Sequence, residues 1–209
     1  MGSIQEKFGQ LIIDGFGEFA KTGIPDTNKL DATWFDHVQE QTVRDALCDT
    51  LYGARWLYKI GLALQVDNKE LYAHVRSQVI DYISVSETLL NEMVLHAKNK
   101  NKLTGEHWKF KDLYMNPKNK IKWTKVTNIR SAIEKQSFAW LILVAEEEKI
   151  ITRPLASSLN KMRLVRNTVH ITERAKNNSA YSLNSSGEAF RIMQKTINET
   201  KSWFSKNKI

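Results

Sequence analysis

Residues 73–97 read AHVRSQVIDYISVSETLLNEMVLHA. From Leu71 onward the apolar residues Val75, Val79, Tyr82, Ile83, Leu89, Leu90, Met93 and Leu95 recur mainly at helical spacing. That is the period of an α-helix with one apolar face, not the period of two that a half-buried strand shows. Just upstream stands Asp67-Asn-Lys-Glu70. An acid that can cap free amides, followed three residues later by Glu, is the pattern of a capping box. A helix is therefore expected over 67–97.

The same reading extends in both directions. Residues 33–64 carry Trp34, Val38, Leu47, Leu51, Ala54, Leu57 and Tyr58 at helical steps, and Gly53 and Gly61 mark a close contact or a bend. Residues 4–20 hold Ile4, Phe8, Leu11, Ile12, Phe16 and Phe19, interrupted by Gly9, Gly15 and Gly17. Gly23–Leu30, with Pro25, reads as a loop. Downstream, a short helix is expected near Gly105–Leu113 with a stop at Asn116-Pro117, then a long helix over 127–149. Thr152-Arg153-Pro154 opens a helix running to Arg174, because proline suits a first turn. Residues 176–185 form a polar loop, and Ser185-Ser-Gly-Glu188 is a second capping box opening a helix to Lys206. No alternating stretch exceeds four residues and no repeat is present. The expected fold is all-α, an antiparallel bundle of four to five main helices. Residues 1–30 read as a helical extension with its loop, and 31–209 as the bundle, with a basic insertion at 98–126.

Composition agrees. At 209 residues, 42% of them hydrophobic, the chain can bury a core without staples. Nine Gly and three Pro are too few for a loop-rich or all-β fold. The one cysteine, Cys48, excludes an internal disulfide framework and any cysteine-based zinc or iron–sulfur site, and is compatible with a reducing cytoplasm. The longest apolar run, Phe138–Ala145, falls well short of the roughly 20 residues of a membrane-spanning helix. Glu6, Asp14 and Glu18 leave no secretory core near the start. A soluble, cytoplasmic protein without membrane contact is expected. There is no P-loop, no glycine-rich dinucleotide turn and no GxSxG elbow, so nucleotide hydrolysis and serine-hydrolase chemistry have no motif behind them.

The net charge of +8 is not evenly spread. Residues 98–130 contain ten Lys and Arg against Glu106 and Asp112, and the rest of the chain is balanced. Trp108, Phe110, Tyr114 and Trp123 stand among those lysines. Cations neutralise phosphates and aromatic faces stack on unpaired bases, so the window can hold RNA. The blander reading is a solvated loop whose aromatics plug the core.

One further segment stands out: Asn160–Arg174, NKMRLVRNTVHITER. On a helical wheel with Leu155 at zero, Leu155, Leu159, Met162 and Val169 fall within about 40° of one line, the core stripe. Arg163, Asn167, His170 and Arg174 fall at about 60–120°, along one flank, and Arg166 falls at about 20°, inside the apolar stripe. A guanidinium there requires an acidic partner, a cleft or a subunit interface. The plain alternative is an ordinary helix with snorkelling arginines and a boundary histidine.

Arg163 to His170, RLVRNTVH, resembles the signature of HEPN (higher eukaryotes and prokaryotes nucleotide-binding) domains. Those are small helical bundles carrying an Arg, four to six residues and a His, often with a polar residue after the Arg. Arg163 has six residues before His170. Arg166 is followed by Asn167 and has three, so either arginine meets part of the pattern. The helix of residues 73–97 is similar to the amphipathic helix such proteins carry before the motif helix. The resemblance implies a metal-independent endoribonuclease that leaves a 2′,3′-cyclic phosphate, in a toxin–antitoxin or antiviral defence role. It also implies a homodimer with a composite site, a possible cognate antitoxin or other regulator, and no cofactor or metal. In that chemistry His170 moves protons near neutral pH and an arginine stabilises charge on the phosphorane. Asn167 orients the phosphate or holds the His170 tautomer, and Lys118, Lys120, Lys122, Trp123 and Arg174 contact RNA. Because the family includes inactive relatives, a catalytically silent HEPN-like module binding RNA or a partner protein is the alternative. The homodimer is expected to bring the 160–174 helices face to face, on the strength of Arg166 in the apolar stripe. Among the other histidines, Glu70/His74 and Glu92/His96 read as surface i, i+4 pairs. Glu146-Glu147-Glu148 reads as a solvated charge run.

Overall fold

The helix expected over 67–97 is α4, Asn68–Asn99, and it is the axis of the molecule. Val75, Val79, Tyr82, Ile83, Val85, Leu89, Leu90, Met93 and Val94 are all buried along it, on more than one face. Each such side chain contributes roughly 1.5–3 kcal/mol by leaving water. The computed structural model describes residues 3–109, 128–169 and 181–207. Among the described residues the chain is all-helical, with eight α-helices, a 3₁₀ turn at His107–Lys109 and no strand. Around α4 pack α3 (Gln41–Ala63), α5 (Ile129–Glu134), α6 (Phe138–Glu147), α7 (Arg153–Asn167) and α8 (Leu183–Lys206). The first two helices, α1 (Ile4–Lys21) and α2 (Thr27–Thr33), pack on α3.

The helix boundaries differ from expectation where a polar side chain competes for backbone groups. The helix expected over 33–64 starts late, at Gln41 of α3, and the loop expected at Gly23–Leu30 is partly α2. Asp26, after Pro25, accepts from the Lys29 amide at 2.8 Å and starts α2 early. Between α2 and α3 the chain turns, burying Phe35, His37 and Val38. The helix expected over 127–149 is interrupted. Asn128 caps the Ser131 amide and Ser137 caps the Trp140 amide, dividing it into α5 and α6.

The capping boxes also moved. Asp67 makes no side-chain cap bond. The last helix starts not at Ser185-Ser-Gly-Glu188 but at Ser182, which caps the Ser185 amide while the Ser185 hydroxyl accepts from the Ser182 amide. Ser3 and Glu6 form a full capping box on α1, which runs unbroken through Gly9, Gly15 and Gly17. Gly61 does mark a close contact, because a Cβ there would lie 3.4 Å from the His74 ring. No helix among the described residues is long and apolar enough to cross a membrane.

Candidate functional site

Helix α7 carries the arginine-rich segment. Thr152 precedes it, its amide donating to the Glu199 carboxylate at 2.7 Å and its hydroxyl at 3.0 Å. Leu155, Ala156, Leu159 and Met162 are buried, as the apolar stripe requires. The far end is closed by hydroxyls. Thr168 donates to the Val165 carbonyl at 2.7 Å and the Tyr181 hydroxyl donates to it at 3.0 Å. Tyr181 is itself buried and set edge-on to Tyr72. Since α7 begins beside Glu199 and ends beside Tyr181, it runs antiparallel to α8.

That closure corrects the expected helix end. The helix stops at Asn167, with Thr168 and Val169 in a turn, rather than continuing to Arg174. A threonine hydroxyl that takes a carbonyl in the last turn competes with helix continuation. Of the four residues placed on one flank, the structure brings together Arg163 and Asn167, one turn apart on α7. His170 and Arg174 lie outside the described residues, as do Lys118, Lys120, Lys122 and Trp123.

The two arginines have different surroundings. Arg166 pairs with Glu87 of α4. Of the resolutions open to a cation in an apolar stripe, the acidic partner is the one adopted, so the case for bringing the 160–174 helices face to face loses its premise. Arg163 is half-buried and donates from Nε to the Asn160 side-chain oxygen at 3.3 Å. Among the described residues no acid pairs with it. Asn167 is exposed beside it.

The described part of the basic window is anchored rather than free. Glu148 accepts from the Thr104 amide at 2.9 Å and the Gly105 amide at 2.6 Å. Glu147 accepts from the Glu106 and His107 amides at 2.7 and 2.8 Å, and its carboxylate meets His107 Nδ1 at 2.9 Å. Two members of the expected solvated run thus hold four backbone amides at the entry to the insertion. A Cβ at Gly105 would overlap the Glu147 carboxyl group, so a side chain there would push that carboxylate off the Glu106 and His107 amides. Trp140 Nε1 donates to the His107 carbonyl at 3.0 Å. Trp108 packs on the core with the Lys98 ammonium 5.1 Å from its ring, so for this aromatic the core-plugging reading holds.

The two Glu/His pairs are not surface pairs. Glu92 is buried and receives both terminal nitrogens of Arg130, at 2.6 and 3.1 Å. His96 instead packs its ring against Trp203 and Phe204, and burial with Lys100 and Lys102 nearby lowers its pKa. His74 lies against Gly61, with no ion pair to Glu70 among the described residues.

Three features escaped sequence reasoning. Burial pushes the Asp81 carboxyl up to about 6. Burial pushes the His37 imidazole down to about 4, partly opposed by Asp36, while His37 Nε2 meets the Thr200 hydroxyl at 3.0 Å. Between α2 and α8 lies a groove of about 590 Å³ lined by Trp34, Arg191, Lys195 and Lys201. Lys201 is bound to Asp36 at 2.8 Å, whereas Arg191 and Lys195 are exposed. The i, i+4 spacing of Arg191 and Lys195 was the available signal for this second cationic surface. Among the described residues no three His, Cys, Asp or Glu side chains gather closely enough to hold a metal ion. Comparisons with protein-family models, with curated proteins and with solved structures find no match.

Proposed function

We propose that this chain is a metal-independent, HEPN-type endoribonuclease of the cytoplasm, acting in toxin–antitoxin or antiviral defence. Its substrate is RNA, and it works as a homodimer under a cognate antitoxin or another regulatory protein. The observation that carries the reading is the guanidinium of Arg163, with no acidic partner among the described residues and one helical turn from Asn167. Three residues beyond Asn167 in sequence stands His170.

The chemistry assigns a task to each. His170 removes the proton of an RNA 2′-hydroxyl, whose oxygen attacks the neighbouring phosphorus. The 5′-oxygen leaves with a proton, and a 2′,3′-cyclic phosphate remains. Arg163, which pairs with no acid among the described residues, offers its positive charge to the phosphorane oxygens. Asn167 supplies a neutral amide beside it to orient the phosphate. Arg166, neutralised by Glu87, is a positioning residue that fixes the last turn of α7 against α4. The groove cations Arg191 and Lys195 offer a second surface to a polyanion.

A second reading is favoured by a specific observation. α7 ends at Asn167, three residues before His170 in sequence, so the helical spacing on which the Arg–His pairing was read stops short of the histidine. On that reading the chain is a catalytically silent HEPN-like module that binds RNA or a partner protein. Purified protein incubated with total RNA in EDTA separates the two. Cleavage to cyclic-phosphate ends, reduced about 10²–10⁴-fold in His170→Ala at unchanged Tm, supports the nuclease. Binding without cleavage selects the silent module, and neither binding nor cleavage removes RNA from the function altogether.

A further inference from the structure

Among the described residues, the most exposed apolar surface is on α1. Ile4 is 86% exposed, Leu11 69%, Phe8 64%, and Ile12 and Phe19 about two-fifths. Large side chains exposed singly are normal, but a contiguous apolar patch on a folded surface marks an interaction site. At 100° per residue from Ile4, the residues Ile4, Phe8, Leu11, Ile12 and Phe19 fall within a sector of about 100°. Ala20, the buried residue of α1, lies at about 160°, outside that sector. α1 packs on α3, with the Lys59 ammonium 4.7 Å from the Phe19 ring; apart from Ile13, 63% exposed at about 180°, the exposed large apolar residues of α1 all lie in that sector.

We infer that this open face of α1 binds the α1 of a second copy, antiparallel, as an isologous dimer interface. Shape and charge select that occupant. Gly15 falls at about 20°, in the middle of the open face, and nothing lies within 4 Å of where its Cβ would be. An antiparallel pairing centred between Leu11 and Ile12 sets Phe8 of each copy over Gly15 of the other, and Ile4 against Phe19. Lys7 and Glu18 share one flank, at about 300° and 320°. A two-fold axis across the interface brings each flank against its own kind, and in this register Lys7 of one copy lies within about one turn of Glu18 of the other. A parallel pairing would instead set Gly15 against Gly15 and put the Lys7 and Glu18 flanks of the two copies on opposite sides of the interface, where they could not pair.

The area fits a dimer. At about 200 Å² per fully exposed large apolar residue, the observed exposures leave roughly 600 Å² per copy to be covered, against about 800 Å² per partner in a standard interface. Concentration-dependent dimerisation in the micromolar range is expected. A lipid surface is the poorer occupant. The charged residues of α1 are Glu6, Asp14 and Glu18 against Lys7 and Lys21, whereas interfacial helices carry a basic polar face.

The test is the oligomeric state of the full chain, which does not depend on whether it cuts RNA. Sedimentation equilibrium from about 1 to 100 μM should show wild type passing from monomer to dimer. Leu11→Glu should raise the dissociation constant at least about 100-fold, by placing an unpaired charge in the interface. Lys7→Glu should weaken the dimer about tenfold, and Lys7→Glu with Glu18→Lys should restore it, which a folding defect would not do. Cys48 is buried and silent, so an introduced Ile12→Cys should cross-link to itself in oxidant while Ile4→Cys should not. A monomer at every concentration, a dimer indifferent to Leu11→Glu, or cross-linking of Ile4→Cys to itself would each overturn the inference. A monomer whose wild-type form, but not Leu11→Glu, floats with phosphatidylglycerol vesicles would assign the face to lipid instead.

Discussion

Replacing Asp81 by Asn should steepen the loss of stability on the acid side. Two groups whose pKa values are shifted by burial oppose each other between pH 4 and 6. His37 is 3% exposed and its folded pKa lies at about 4 instead of 6.5. The unfolded chain therefore binds more protons than the folded one in that interval, and stability is lost as the pH falls through it. At about 1.4 kcal/mol per unit, the loss is at most ~3 kcal/mol. Asp81 has the opposite sign. Its folded pKa lies at about 6 instead of 3.8, so the folded chain holds the extra proton and stability is gained as the pH falls. Asp81 is only half-buried, and water reaching it reduces the gain to about 1–2 kcal/mol. Urea unfolding followed by circular dichroism at pH 7, 6, 5 and 4.5 reads the balance. Asp81→Asn should be at least as stable as wild type at pH 7, because it removes a carboxylate that burial disfavours. It should then lose about 1–2 kcal/mol relative to wild type by pH 4.5. Taking the difference between the two proteins cancels carboxylates common to both, including Glu92 on Arg130. Parallel profiles would refute the assignment of the acid-side gain to Asp81. An Asp81→Asn profile without any loss of stability toward pH 4.5 would refute the buried neutral His37.

Three further outcomes follow from named contacts. A double-mutant cycle on Arg166→Ala and Glu87→Ala, read by urea unfolding, should give a coupling of about 1 kcal/mol, since both side chains are about a third exposed; additive effects would deny the pair. The Cys48 thiol, pushed up to about 11 by burial, should resist a disulfide-exchange reagent in the folded protein and react at once in denaturant, and fast native reaction would contradict its burial. Replacing Lys118, Lys120 and Lys122 together with Ala should weaken RNA binding and flatten the plot of log affinity against log salt by up to about three units, while unchanged affinity and slope in filter binding would leave those lysines as a solvated loop.

What was legible in the sequence was periodic, and what was not depended on partners far along the chain. The stripe of α4 was readable because its residues recur at helical steps within one segment. The break between α2 and α3 was hidden because Trp34 and Val38 keep a four-residue step while sitting in a turn. No local pattern says that Glu147 and Glu148 bind amides some forty residues upstream, and a run of three acids at a helix end resembles any solvated end. His37 and Asp81 look ordinary in sequence, since what shifts them is burial by elements distant in the chain.

Arg166 lies between these cases. Its place in the apolar stripe made the need for compensation visible, but not the choice among an acid, a cleft and a subunit interface. Glu87, seventy-nine positions away, decides it. The consequence bears on the chemistry proposed for α7. A guanidinium already matched by a carboxylate presents little net charge to an incoming phosphate, and displacing Glu87 would leave that carboxylate half-buried without its partner. Arg163 carries no such cost among the described residues. If a phosphate is stabilised beside this helix, Arg163→Ala should reduce cleavage at unchanged Tm. Arg166→Ala should lower Tm and reduce cleavage only as far as it disturbs the last turn of α7. Equal losses of cleavage with no change in Tm for either variant would mean that both guanidinium groups reach the phosphate, and that Glu87 yields its partner when RNA binds.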